Sequence, residues 1–258
     1  NALRNLGSYK EAIKAYERAA ASFERLDDRR RLADSLNRMG AALLFVGDYA
    51  TAEELMHRSL TLRRDLDDRM GIAYSLNNLA VTHFYRGHFD RARAAAEQAL
   101  QVVTDAGDPY GQGTILHNLG EYAVEQGDPV RAITLEERAL AIARRIGHGS
   151  IVPSVLVDLG RCNQQLGNLE RARELMEASL RATSDSVDEY DAPLLESHMT
   201  VLCLELGDHQ RALNRALSAL RLAEMSKDPR GVGVTERLMG QVLAEASSED
   251  ARSAALPH

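Results

Sequence analysis

The residues of this chain that could carry chemistry are few, and their spacing assembles no reaction centre. A phosphate cradle needs a Gly-rich loop ending in Lys-Ser or Lys-Thr, yet lysine occurs only at Lys10, Lys14 and Lys227. Gly111 and Gly113 flank Gln112, but they open a helical pattern after Pro109 and follow no strand. No serine sits in a nucleophile-elbow pattern. His83 and His88 are separated by a turn and have no helical His-Glu-His motif behind them, so they read as packing rather than as metal ligands. Cys162 and Cys203 read as small buried hydrophobes rather than a redox pair. Arg29, Arg30 and Arg31 abut Asp27 and Asp28 and read as a solvated helix start. No catalytic residue, metal or cofactor is expected.

The elements that would position any site are set by a repeat. Gly7, Gly47, Gly87, Gly127, Gly167 and Gly207 recur every 40 residues, and so do Ala12, Ala52, Ala92, Ala132, Ala172 and Ala212. Further columns read Leu60, Leu100, Leu140, Leu180 and Leu220, and Gly40, Ala80, Gly120, Gly160, Thr200 and Gly240. The Gly column suits a positive-φ turn between helices. The residue after it is mostly an N-cap type, as in Ser8, Asp48, Asp128 and Asp208. Ser8 with Glu11 also fits a capping box. A second boundary carries Asp28, Asp68, Asp108, Asp188 and Asp228, with His148 as the exception. Each unit is therefore two helices. First helices are expected over 29–46, 69–86, 109–126, 150–166, 190–206 and 230–246. Second helices are expected over 8–26, 48–66, 88–106, 128–146, 168–184 and 208–226. A solenoid would thus span residues 1–246, with a partial repeat over 1–28 and a cap or tail over 247–258. The irregular stretch from Thr183 to Pro193 is expected to act as a hinge.

Composition agrees. Hydrophobic residues make up 45% and aromatics only 5%, which favours close Ala/Leu helix packing over a sheet. A net charge of −7 argues against nucleic acid as a partner. No apolar run is long enough to span a bilayer. The two cysteines and the lack of a signal peptide point to a reducing, cytoplasmic setting. The chain opens without Met in what reads as a helix end, so a piece of a longer protein is expected.

Leu76, Leu79, Ala80, Gly87, Ala92 and Ala99 follow the order and spacing of the tetratricopeptide signature, and the pattern resembles that family over nearly the whole chain. The 40-residue unit is longer than the common one. It is similar to units in the C-terminal parts of bacterial signal-transducing ATPase regulators, in peptide-sensing receptors and in kinesin light chains. The resemblance implies an all-α, right-handed α-α superhelix of about six repeats that holds a protein or peptide in a concave groove lined by first helices. Mapped here, that lining comprises Asp34, Asn37, Arg38, Tyr74, Asn77, Asn78, His117, Asn118, Glu121, Asp158, Arg161 and His198. Asparagine is a poor helix former, so recurring Asn in helix interiors asks for a reason. Side-chain amides donate and accept at once and could grip an extended peptide backbone, or else bridge adjacent units. Arg38 and Arg161 stand three units apart among Asp34, Glu121 and Asp158, a mixed lining that suits a peptide of both charge signs or a helix. The alternatives are the sensor or autoinhibitory arm of a larger regulator, and self-association through the solenoid ends.

Overall fold

The computed structural model describes residues 2–184, 192–226 and 232–244, and every regular element among them is helical. In chain order these are α1 (Ala2–Arg25), α2 (Arg29–Val46), α3 (Tyr49–Asp65), α4 (Arg69–Tyr85), α5 (Phe89–Asp105), α6 (Pro109–Glu125) and α7 (Pro129–Ile146). A 3-10 turn (Gly149–Ile151) then leads into α8 (Val152–Gln165), α9 (Leu169–Ser184), α10 (Ala192–Glu205) and α11 (His209–Ser226). Residues 232–244 are helical as well. Among the described helices none is long and apolar enough to cross a membrane. The expected hinge falls largely on 185–191, and the expected tail on 247–258, outside the described residues.

The helices form two compact units, residues 3–151 and residues from Val152 onward. Within the first, α2 pairs with α3, α4 with α5 and α6 with α7, while α3 packs on α4 and α5 on α6. Within the second, α8 pairs with α9, α10 with α11, and α9 packs on α10. Consecutive first helices also touch: α2 meets α4, α4 meets α6, and α8 meets α10. Each unit is therefore tightest on its first-helix side.

Two kinds of turn make this arrangement. From first to second helix the chain passes through Gly47, Gly87, Gly127, Gly167 and Gly207, all with φ between 73° and 81°. From second helix to the next first helix it passes through Asp27 (φ 54°), Asp67 (φ 50°), Gly107 (φ 65°) and Gly147 (φ 70°). The next residue then caps the new helix. Asp28, Asp68 and Asp108 accept from the backbone N–H of Arg31, Gly71 and Tyr110 at 3.0–3.1 Å. His148 has no carboxylate to do this, and Pro153 tolerates only the opening turn of a helix. The chain takes a 3-10 turn first, so α8 begins at Val152 rather than near 150.

The front end departs from expectation. Gly7 does not enter the left-handed region and Ser8 starts no new helix; α1 runs unbroken from Ala2 to Arg25.

Packing depends on matched sizes. Ala52, Ala92, Ala132, Ala172 and Ala212 are all 0% exposed. A second set pairs a small residue on the first helix with the residue sixteen positions on. A Cβ on Gly40 would lie 3.1 Å from Met56, and one on Gly160 2.8 Å from Met176. The equivalent slots hold Ala80 with Ala96 and Thr200 with Ala216. In the third copy the slot holds Glu136, 0% exposed, whose Oε1 would lie 2.3 Å from a Cβ on Gly120. A buried carboxylate needs a partner. His117 supplies one, its Nδ1 standing 3.0 Å from both Glu136 oxygens.

A polar seam joins α2, α3 and α4. The Arg63 side chain is 7% exposed and fans over Asp34 (2.5 Å), the α4 cap Asp68 (3.1 Å) and Ser59 (3.2 Å). Ser59 in turn donates to the Ala33 carbonyl at 2.8 Å. Gly71 makes room, because a Cβ there would lie 1.7 Å from Arg63 Nη1.

Two stability tests follow. Gly107→Ala forces a side chain into the left-handed region and should cost about 1 kcal/mol, whereas Asp67→Gly should gain about 0.5 kcal/mol once glycine's extra unfolded freedom is set against the relief. Urea midpoints of the two variants should move in opposite directions; a Gly107→Ala protein as stable as its parent would refute the turn argument. At the third slot, Glu136→Met copies Met56 and Met176 and should leave the thermal midpoint equal or higher, while His117→Ala, which strips a partner from the buried carboxylate, should cost about 3 kcal/mol. A large loss for Glu136→Met would mean that the acid is structurally required.

Candidate functional site

Within each unit the polar columns stand on the first helices. In unit 3–151 these stand on α2, α4 and α6; in the other they stand on α8 and α10. Positions i, i+3, i+4 and i+7 lie on one helical face, so 34, 37, 38 and 41 form a stripe that repeats at 74, 77, 78 and 81 and again at 114, 117, 118 and 121.

The inner edge of each stripe ties repeats together. Asp34 is bound by Arg63, which also holds Asp68. One repeat on, Tyr74 donates directly to Oδ2 of Asp108 at 2.9 Å. In both cases the 34/74 position is linked to the acid that caps the following first helix. Partial burial, then the Asp108 carboxylate, push the Tyr74 phenol above its ordinary pKa.

The amides come next. Asn118 Nδ2 donates to Asn77 Oδ1 at 2.9 Å, from α6 to α4. The corresponding pair one repeat earlier, Asn37 with Asn78, is open. Asn37 is 8% exposed and its Oδ1 is buried with no hydrogen-bond partner among the described residues. Asn78 is half-buried, and its backbone carbonyl accepts from Thr82 at 2.9 Å. Arg38 is exposed, Glu121 half-buried, and His117 is turned onto Glu136. The structure thus brings Asn77 together with Asn118, ties Asp34, Tyr74 and His117 to neighbouring helices, and leaves Arg38 exposed and the Asn78 side chain half-buried with no hydrogen bond among the described residues.

In the second unit Asp158 is buried, with Arg161 Nη1 3.4 Å from its Oδ1. His198 is half-buried nearby; its pKa is pushed down to about 4, first by burial and then by the positive charge of Arg161. The imidazole is neutral at pH 7 and can donate and accept like an amide. Cys162 and Cys203 are both buried thiols.

Some residues of the site were not singled out from sequence. Arg63 lies on a second helix, yet it fixes Asp34. Glu136 sets His117, and its signal was present as a charge in a column otherwise filled by Met56, Ala96, Met176 and Ala216. The same holds for Glu196, 7% exposed, in a column of leucines: it accepts from Arg215 at 3.2–3.3 Å and from Ser218 at 3.1 Å.

Comparison with known proteins places this geometry. No curated protein matches the sequence. Among solved structures, BtubC (BKLC) from P. vanneervenii is 20% identical, with 88% of this chain and 93% of that one covered at a TM-score of 0.69. A Signal Transduction ATPase with Numerous Domains (STAND) protein with a tetratricopeptide repeat sensor, from Pyrococcus horikoshii, is 16% identical at a TM-score of 0.73. That match covers 94% of this chain but 38% of the other, so the chain spans well under half of that protein. Aspartyl phosphate phosphatase F from Bacillus subtilis is 13% identical at a TM-score of 0.67, with 93% and 68% covered. At these identities the likeness is one of fold. A profile for anaphase-promoting complex subunit 5 matches residues 156–242. The profile of the tetratricopeptide repeat matches residues 1–65, 31–105, 71–145 and 111–185 in overlapping register, and on that match, with helix pairs at the same period, the chain belongs to the tetratricopeptide repeat family.

Proposed function

We propose that this protein is a non-catalytic, cytoplasmic scaffold that holds an extended peptide segment against the first-helix face of residues 3–151. The Asn78 amide carries this reading. Asn77 and Asn118 satisfy one another, whereas the half-buried Asn78 side chain makes no hydrogen bond among the described residues and keeps a donor and an acceptor to offer. A peptide backbone offers the complementary N–H and C=O at every residue. Arg38 and Glu121 add both charge signs at the margins, and the contact between consecutive first helices curves the unit toward this face. Concave solenoid faces are suited to such partners.

A second reading is favoured by one observation, the match of nearly the whole chain to a protein described as a STAND ATPase with a repeat sensor. On that reading the same face holds an inducer, or a segment of an attached ATPase, and deleting the repeats from the full-length protein should raise its ATPase activity.

The test is a selection from a random linear-peptide library, followed by calorimetry on the best binder. Each lost amide bond is worth about 1 kcal/mol, roughly fivefold in affinity. The Asn78→Ala variant should therefore bind about fivefold more weakly, while Glu97→Ala on α5 should leave affinity unchanged. Full affinity in the Asn78→Ala variant would place the partner elsewhere and end the groove reading.

A further inference from the structure

The first-helix face of residues 3–151 ends in two tyrosines that share one carboxylate. Tyr110 stands four residues before Thr114, so it extends the stripe of Thr114, His117 and Asn118 by one turn of α6. Tyr74 opens the corresponding stripe on α4. Asp108 binds both, its Oδ2 accepting from the Tyr74 hydroxyl at 2.9 Å and its Oδ1 from the Tyr110 backbone N–H at 3.1 Å. Burial first, then Asp108, and then the nearby Tyr110 raise the pKa of Tyr74, so the two phenols share one neighbourhood.

The charge of Asp108 is unmatched. One repeat earlier the equivalent cap, Asp68, is paired with Arg63 at 3.1 Å. The position equivalent to Arg63 is Val103, which is fully buried. Asp108 therefore accepts from two neutral donors and forms no ion pair among the described residues. Beside it, Tyr110 is a held platform. Its ring stacks on His148, with ring centres 3.9 Å apart and planes 23° from parallel, yet the residue is 54% exposed. One ring face is covered and the other meets solvent. His148 is sealed beneath, 8% exposed, with its Nδ1 buried and without a hydrogen-bond partner among the described residues. Burial lowers its pKa, so this imidazole puts no charge under the ring at pH 7. An open tyrosine face is negative and attracts a cation placed over it.

We propose, building on the peptide-binding reading above, that Asp108 and Tyr110, with Tyr74 beside them, seat an arginine side chain of the bound peptide. Arginine suits this corner better than lysine. Its planar guanidinium stacks on an aromatic face while its in-plane N–H groups reach a carboxylate. Each Asp108 oxygen has accepted one bond and keeps a lone pair for another. The ligand's guanidinium would give Asp108 the counter-charge that Arg63 gives Asp68, delivered from solvent instead of from a second helix. Among α2, α4 and α6 only α6 carries an aromatic residue at this position, since α2 has Arg30 and α4 has Met70. The seat is therefore single, and it sets the register of the peptide along the face.

The test titrates the whole chain, with ring-labelled tyrosine, with N-acetyl-arginine methylamide, and separately with the citrulline analogue, which has nearly the same shape and no charge. The arginine probe should move the Tyr74 and Tyr110 ring resonances saturably, and citrulline should bind at least about fivefold more weakly. Asp108→Asn keeps an N-cap residue and Tyr110→Leu changes an exposed side chain, so both should stay folded by circular dichroism. Each should weaken the arginine probe about fivefold, while Tyr110→Phe, which keeps the ring, should bind it as the parent does. Asn78→Ala should leave this probe unaffected, which separates the seat from the amide contact. No saturable arginine binding, equal binding of citrulline, or full binding by Asp108→Asn would overturn the proposal. Selected peptides that need Asn78 yet show no preference for arginine would overturn it too, and would leave the groove reading standing.

Discussion

Everything in this molecule depends on how closely two helices can approach where they cross. The Ala column, 0% exposed from Ala52 to Ala212, brings each second helix to methyl distance of its first. The Gly/Ala/Thr column opposite Met56, Ala96, Glu136, Met176 and Ala216 then fixes depth by exchanging volume between partners. Interiors pack at near-crystalline density, so a unit whose crossings are this short leaves no slack. The 40-residue period is the sequence trace of that one constraint. The polar columns exist because the helix face left over must be solvated or matched by something else.

Turns and caps serve the same constraint. Positive-φ glycines return the chain within two residues, and Asp caps restart it in register. Where a cap is missing, as at His148, the helix yields by a 3-10 turn and keeps the crossing.

The fold was legible because each of these demands acts on backbone geometry or small volumes, which residue type alone records. The Gly47 and Ala52 columns and the Asp28 and Asp68 caps could be placed within a residue or two. Gly7 misled, since α1 runs through it unbroken and it does not enter the left-handed region. The site was less legible. Sequence set Asn78 and Asn118 one unit apart in a single column but could not say that Asn118 would close on Asn77 while Asn37 stayed unpaired, because that depends on side-chain reach across a repeat. It paired His83 with His88, neighbours in sequence, and passed over Glu53, which the stacking of α3 on α4 brings to 3.8 Å from His83 Nδ1. Charges in apolar columns, Glu136 and Glu196, were the available clue to buried polar pairs.

The Arg63 fan has a historical meaning as well as a mechanical one. Its guanidinium fills the space that a side chain at Gly71 would need, and it holds Asp34 and Asp68 at its other ends. These four positions therefore form a single unit of inheritance. A lineage that gains a methyl at 71 must first shorten the residue at 63, and once it does, Asp34 is released from its partner on the first-helix face. Among descendants of this chain, the charge offered by the first repeat would then change in step with a glycine that touches no partner.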